Sequence, residues 1–128
     1  RYADSLTFDY TGRMLVFDAL NCITTPTSDC ASGAGYQYWS VGFVNVTTAQ
    51  LSFPFANQNP VIDVGYPSFA ANNNFVIAFD FQDWTVPTAI ASRIVTANLE
   101  EQTFPTVHDF GNGAVPVWGV PSFWGDDN

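Results

Sequence analysis

Part of this chain repeats in the same order, and the repeat limits the folds available to it. Phe8-Asp9-Tyr10-Thr11-Gly12-Arg13-Met14-Leu15-Val16-Phe17-Asp18 corresponds to Phe69-Ala70-Ala71-Asn72-Asn73-Asn74-Phe75-Val76-Ile77-Ala78-Phe79-Asp80, the second copy being one residue longer in its turn. Further on, Asn45-Val46-Thr47-Thr48 matches Asn98-Leu99-Glu100-Glu101, and Phe53-Pro54 matches Phe104-Pro105. Gly65-Tyr66-Pro67-Ser68-Phe69 then recurs as Gly119-Val120-Pro121-Ser122-Phe123. Several matches in one order mark duplicated supersecondary units.

Each unit reads as strands. Nine glycines and eight prolines are spread along the chain and leave few windows long enough for a helix. Short runs rich in Val, Ile, Phe, Tyr and Thr are bounded by Asn, Gly, Pro and Asp, the pattern of strands and turns. In the first unit the expected strands are Leu6 to Phe8, Met14 to Phe17, Tyr38 to Val46 and Leu51 to Phe55. In the second they are Pro67 to Phe69, Phe75 to Phe79, Ala91 to Leu99 and Phe104 to Val107. The nearly continuous apolar runs Met14 to Phe17 and Phe75 to Phe79 suit strands covered on both faces. Pro54 and Pro105 suit edge strands, because proline cannot donate to a ladder.

A period of ~40–60 residues with four strands per unit indicates a β-propeller blade. The expected fold is all-β: propeller blades, each a four-stranded antiparallel sheet, about two of them plus the first strand of a third. The segments Pro67-Ser68-Phe69, Asn73-Asn74 and Ile77-Ala78-Phe79 resemble the TolB-like (WD40-like) propeller repeat, as do Phe8, Thr11-Gly12-Arg13 and Leu15-Val16-Phe17. That repeat runs Pro-x-Phe-Ser-Pro-Asp-Gly, a basic residue, then an Ile-Ala-Phe-type strand. Pro121 to Asn128 resembles its opening, with Asp126 where the turn aspartate would stand. Neither full copy has the complete Ser-Pro-Asp-Gly turn. The resemblance implies blades at residues 1–66 and 67–120, with a third beginning at 121–128. Two blades cannot close a ring, so the expectation is a fragment of a longer propeller, with self-assembly of short chains as the alternative.

Composition narrows the partners. Twelve acidic residues against three arginines and no lysine give a net charge of -9. That excludes the basic stripe of a nucleic-acid binder and docking on anionic lipid. No apolar run is long enough for a membrane-spanning helix, so membrane insertion is not expected. Cys22 and Cys30 enclose a polar loop rich in Thr, Ser, Pro and Asp. An even count at this spacing suits a local disulfide and hence an extracellular, cell-surface or periplasmic setting.

Candidate chemistry is sparse. His108 is the only histidine, its neighbour Asp109 could not face it in a strand, and no Gly-x-Ser-x-Gly elbow is present. No catalytic residues are expected. Asp18 and Asp80 hold equivalent places after the second strand of each unit. Together with Asp126 they are candidates either for binding a cation, with calcium the weak option, or for capping turns through backbone N–H groups. No cofactor is otherwise expected, and the metal-ligand set is unknown. Trp39, Trp84, Trp118 and Trp124, with Tyr36, Tyr38 and Tyr66, could form a sugar- or peptide-stacking surface or fill the wedges between blades. Of these, Tyr36, Tyr38 and Trp39 follow a glycine-rich loop and form the candidate ligand surface. The expected function is a non-enzymatic protein-interaction scaffold, whose partners are another protein or the remaining blades of the same propeller. The alternatives are an accessory gating propeller of a hydrolase such as a peptidase, or a carbohydrate-binding surface.

Overall fold

The structure, a computed structural model, describes residues 3–23, 36–55 and 59–122. It is all-β, with no helix among the described residues. The first sheet comprises β1 (Leu6–Phe8), β2 (Met14–Ile23), β3 (Tyr36–Asn45) and β4 (Gln50–Ser52); the second comprises β5 (Ile62–Ala70), β6 (Asn73–Asp83), β7 (Ile90–Asn98) and β8 (Thr106–Gly113). Both sheets are four-stranded and antiparallel, and their spatial order is the chain order. The duplicated pattern is thus a duplicated meander.

The turns explain why the strands stop where they do. Between β1 and β2, the Asp9 carboxylate accepts the Thr11 hydroxyl at 2.5 Å and the amides of Arg13 and Met14 at 2.8 Å each. Gly12 closes this turn at φ 70°, a conformation open to glycine. Between β3 and β4, Asn45 Oδ1 accepts the amides of Thr47 and Thr48 at 3.0 and 3.1 Å, and Ala49 turns at φ 55°. The second sheet repeats the device: Asn98 Oδ1 accepts Glu100 N and Glu101 N at 3.1 and 3.2 Å, and Gln102 turns at φ 56°. A short amide side chain that mimics a backbone turn is what these positions require.

Side-chain alternation decides which residues meet. Val16, Val41 and Phe43 of the first sheet face Val64, Phe69, Ile77, Phe79, Val95 and Ala97 of the second, forming one buried core. The Phe43 and Phe69 rings meet edge-on at 6.0 Å. Full burial of such side chains contributes about 1.5–3 kcal/mol each. β5 is the strand of the second sheet that lies against β1, β2 and β3. Farther out the Phe55 ring spans the gap, 5.5 Å from Phe79 and 6.1 Å from Phe104, at the edge of an apolar cavity of about 620 Å³.

The opposite face of the first sheet packs Phe17 against Phe53 at 6.1 Å. There a Cβ at Gly42 would lie 2.6 Å from Phe17 Cζ and 2.8 Å from Phe53 Cε1, so the close approach requires glycine. Leu6, Phe8 and Leu51 are exposed, and their register places them on this same face.

The structure corrects several expected boundaries. β2 continues past Phe17 to Ile23, and β6 past Phe79 to Asp83. β4 ends at Ser52 and β8 begins at Thr106, so Pro54 and Pro105 flank edge strands and stand in neither. A proline there ends pairing, while its carbonyl still serves: Pro105 O accepts Thr96 N at 3.0 Å. β5 begins at Ile62, so residues 62–66, assigned from sequence to the first unit, belong to the second sheet, where 62–65 pair with β6. Pro121 and Ser122 are not in a strand, and the rest of the expected third unit, including Asp126, lies outside the described residues.

Candidate functional site: an acidic, aromatic cavity between the sheets

The second strand of each sheet carries a buried aspartate in its middle. Asp18 on β2 is 1% exposed and Asp80 on β6 is 0% exposed. A carboxylate so placed must be satisfied by hydrogen bonds. Asp18 Oδ1 accepts the amides of Asp4 and Ser5 at 2.8 Å each, and its Oδ2 accepts the amide of Tyr66 at 3.0 Å. Asp80 Oδ1 accepts Gly119 N at 2.8 Å, and its Oδ2 accepts Gln82 Nε2 at 2.8 Å. Gln82 is itself buried and bonds Val117 O at 2.6 Å and the Ser92 hydroxyl at 2.8 Å. Ser92 Oγ accepts Val117 N at 3.0 Å.

Both aspartates therefore accept backbone N–H groups, which the capping alternative expects to come from a turn. The donors differ from that expectation, because they lie in remote segments and not in the aspartate's own turn. Asp18 ties β2 to the strand that opens the second sheet. Asp80 ties β6 to the segment that follows β8. Acids that do cap turns are Asp9, Asp83 and Asp109, and Asp9 is the most buried of them. Burial opposes its ionisation, but the Thr11 hydroxyl and the surrounding amides outweigh burial and hold its carboxyl below the usual value of 3.8.

Tyr66 is the residue through which Asp18 acts. It sits at φ 49° in the irregular stretch of β5 between Gly65 and Ser68. A bulky residue in that region is strained and needs neighbours to hold it. Its amide is held by Asp18, and its hydroxyl donates to Asp4 Oδ2 at 3.3 Å. The Trp118 ring meets it edge-on at 6.3 Å, with 76° between the planes. Burial, then the charge of Asp4 and the hydrogen bond to it, then the charges of Asp18 and Asp80, push the Tyr66 phenol pKa above 10.0.

Asp4, Asp18, Trp39, Gly65, Tyr66 and Trp118 together enclose a cavity of about 100 Å³. Trp39 comes from β3, on the stretch of that strand that β4 does not cover. Its amide instead donates to Asp63 Oδ1 at 2.8 Å. Burial raises the Asp63 carboxyl pKa above 3.8, against the lowering effect of the Trp39 amide and the Trp84 indole. That indole N–H acts on the carboxyl through space but makes no well-aligned hydrogen bond. Asp80 is raised likewise by burial, against the bonds from Gln82 and Gly119 and with a small push from Asp63.

The structure separates two residues of the sequence-derived ligand surface, Tyr38 and Trp39. Trp39 lines the cavity. Tyr38 is its neighbour on β3 and so projects to the opposite face. Tyr36 begins β3, and its side chain lies outside the described residues. Tyr66 and Trp118 belong to the wider aromatic set that the sequence offers, whereas Asp4 and Asp63 carry no such signal, and no spacing rule connects segments so far apart. Cys22 is exposed near the end of β2 and is not a free thiol; Cys30, its expected partner, lies outside the described residues. His108 rests edge-on against Phe110 at 4.5 Å. Asp109 turns to Gly111 N at 2.7 Å and Arg93 Nε at 3.1 Å. Among the described residues no group of three or more His, Cys, Asp or Glu side chains is placed to hold a metal ion, and no helix is long and apolar enough to cross a membrane.

Comparison with protein-family models, with curated proteins and with solved structures finds no match for this chain, so its function is argued from its own residues.

Proposed function

We propose that the two sheets are consecutive blades of a TolB-like β-propeller, and that the protein is a non-enzymatic scaffold for protein interaction outside the cytoplasm. One observation carries this reading. Asp18 reaches forward to the Tyr66 amide, and Asp80, at the same place in the next sheet, reaches forward to the Gly119 amide. Tyr66 and Gly119 stand within one position of each other in the sequence repeat, so the second sheet is prepared to receive a third as the first receives the second. The open apolar face of the first sheet, with Leu6, Phe8 and Leu51, fits the same arrangement.

A scaffold needs no reactive group, and the one histidine packs on Phe110 while its neighbouring acid serves Arg93. The net charge of -9 favours partners with a basic surface. The extracytoplasmic setting rests on the expected Cys22–Cys30 bridge.

Structure determination of the native protein tests the blade assignment. Further four-stranded sheets are expected on both outer faces of this pair. A stable monomer of the 14.0 kDa chain with both faces in solvent would overturn it. Peptide hydrolysis by the native protein that is lost in His108→Ala would replace the scaffold with a hydrolase.

A further inference from the structure

We propose that the cavity between Asp4, Asp18, Trp39, Tyr66 and Trp118 binds the alkylammonium head of a ligand, a protonated or methylated amine. The proposal rests on the scaffold reading only for where that amine comes from, namely a lysine side chain of the protein partner.

The walls favour this chemistry. Tyr66 and Trp118 meet at 76° and form a corner of two aromatic planes, and Trp39 supplies a third ring. An ammonium is attracted to the faces of such rings, and attraction grows as water is excluded. A cavity of about 100 Å³ admits a compact head and little more. Perpendicular rings suit a round ammonium better than a flat guanidinium, which stacks on one plane.

The charges select the same sign. Asp4 and Asp18 line the cavity, and the Asp80 charge also acts on the Tyr66 hydroxyl. Neither Arg13 nor Arg93 lines the cavity, and the chain has no lysine of its own to fill it. A bare metal ion is a poorer fit. Both Asp18 oxygens already accept amides, three in all, so the carboxylate offers field and not coordination. A cation that binds through ring faces does not need those lone pairs.

The test uses the intact chain, with tryptophan fluorescence and NMR chemical shifts as readouts. The probes are tetramethylammonium, n-butylammonium and, as the uncharged shape control, tert-butanol. Saturable binding of both ammonium probes in the millimolar range is expected, with tert-butanol giving no saturable response. Asp4→Asn and Trp118→Ala are each expected to weaken binding about three- to twentyfold while circular dichroism stays unchanged. Equal response to tert-butanol would overturn the proposal. So would the absence of saturation by either ammonium, or unchanged affinity in both folded variants.

A second arm separates this proposal from the scaffold reading. A lysine-rich peptide should compete with tetramethylammonium, and its trimethyl-lysine form should compete more strongly. Ammonium binding without peptide competition would keep the cavity as a small-amine site and remove the protein partner as the source.

Discussion

Gly119 lies so close under Ile94 that a Cβ on it would stand 2.2 Å from Ile94 Cδ1, and from that position its amide donates to Asp80 at 2.8 Å. The segment after β8 is thus seated on the second sheet by steric fit and by charge together. Gly119→Ala should cost about 1–2 kcal/mol, because the clash is with the movable tip of Ile94. Gly42→Ala should cost more, about 2–3 kcal/mol, since two rings, Phe17 and Phe53, crowd it at 2.6 and 2.8 Å and both must move. Urea midpoints of the two variants give the ranking.

Asp18→Asn leaves the shape of the side chain and removes one acceptor. Three amides lose their shared carboxylate, and the new NH₂ group opposes at least one of them. A loss of about 2–4 kcal/mol is expected. Amide hydrogen exchange should quicken at Asp4, Ser5 and Tyr66 together, which an unrelated loss of stability would not single out.

The acids divide into two sets with opposite pH behaviour. Asp9 and Asp83 are held below 3.8, so the stability they contribute is complete above that value and is lost as pH falls through their lower folded values. Asp63 and Asp80 are raised above 3.8 by burial, so their contribution is complete below 3.8 and is lost as pH rises through their folded values. Asp63→Asn keeps an oxygen for the Trp39 amide and removes one titration. Its urea midpoint should therefore decline less than that of the parent between mildly acidic and neutral pH. An unchanged pH slope would contradict the assignment.

Asn45→Ala and Asn98→Ala remove the same two amide contacts from equivalent turns. Each should cost about 1 kcal/mol. The two costs should add, because the turns share no partner. A double-mutant thermal unfolding series measures this.

Much of the architecture was legible in the residues. Matching runs at Met14 to Phe17 and Phe75 to Phe79 gave the second strand of each sheet, because continuous apolar runs need cover on both faces. The Asn45 and Asn98 turns were legible as paired segments for the same reason that they fold alike. What escaped was polar residues used inside strands. Asp18, Asp80 and Gln82 look like strand endings, yet they are buried and satisfied by partners tens of residues away. Edge strand β8, Thr106–Gly113, is exposed along nearly all of its length and shows little apolar alternation. The cavity was half visible: Trp39 was singled out, but grouping it with Tyr38 ignored the alternation of a strand. Tyr66 is one of the aromatic candidates, but its link to Asp18 depends on a left-handed backbone in an irregular strand, which no residue spacing signals.

The forward-reaching aspartates give the molecule two unlike ends. On the proposed blade reading, one end offers an apolar sheet face and the other a sheet prepared to receive a successor. Such head-to-tail contacts have no two-fold symmetry and do not use themselves up on pairing. Growth stops only when a constant rotation brings the last unit back to the first; otherwise it continues into an open fibre. On that reading the angle between the two sheets, repeated, would decide between a finite ring and a filament, and a substitution at Asp18 or Asp80 that changed that angle would be read out as a change of particle shape.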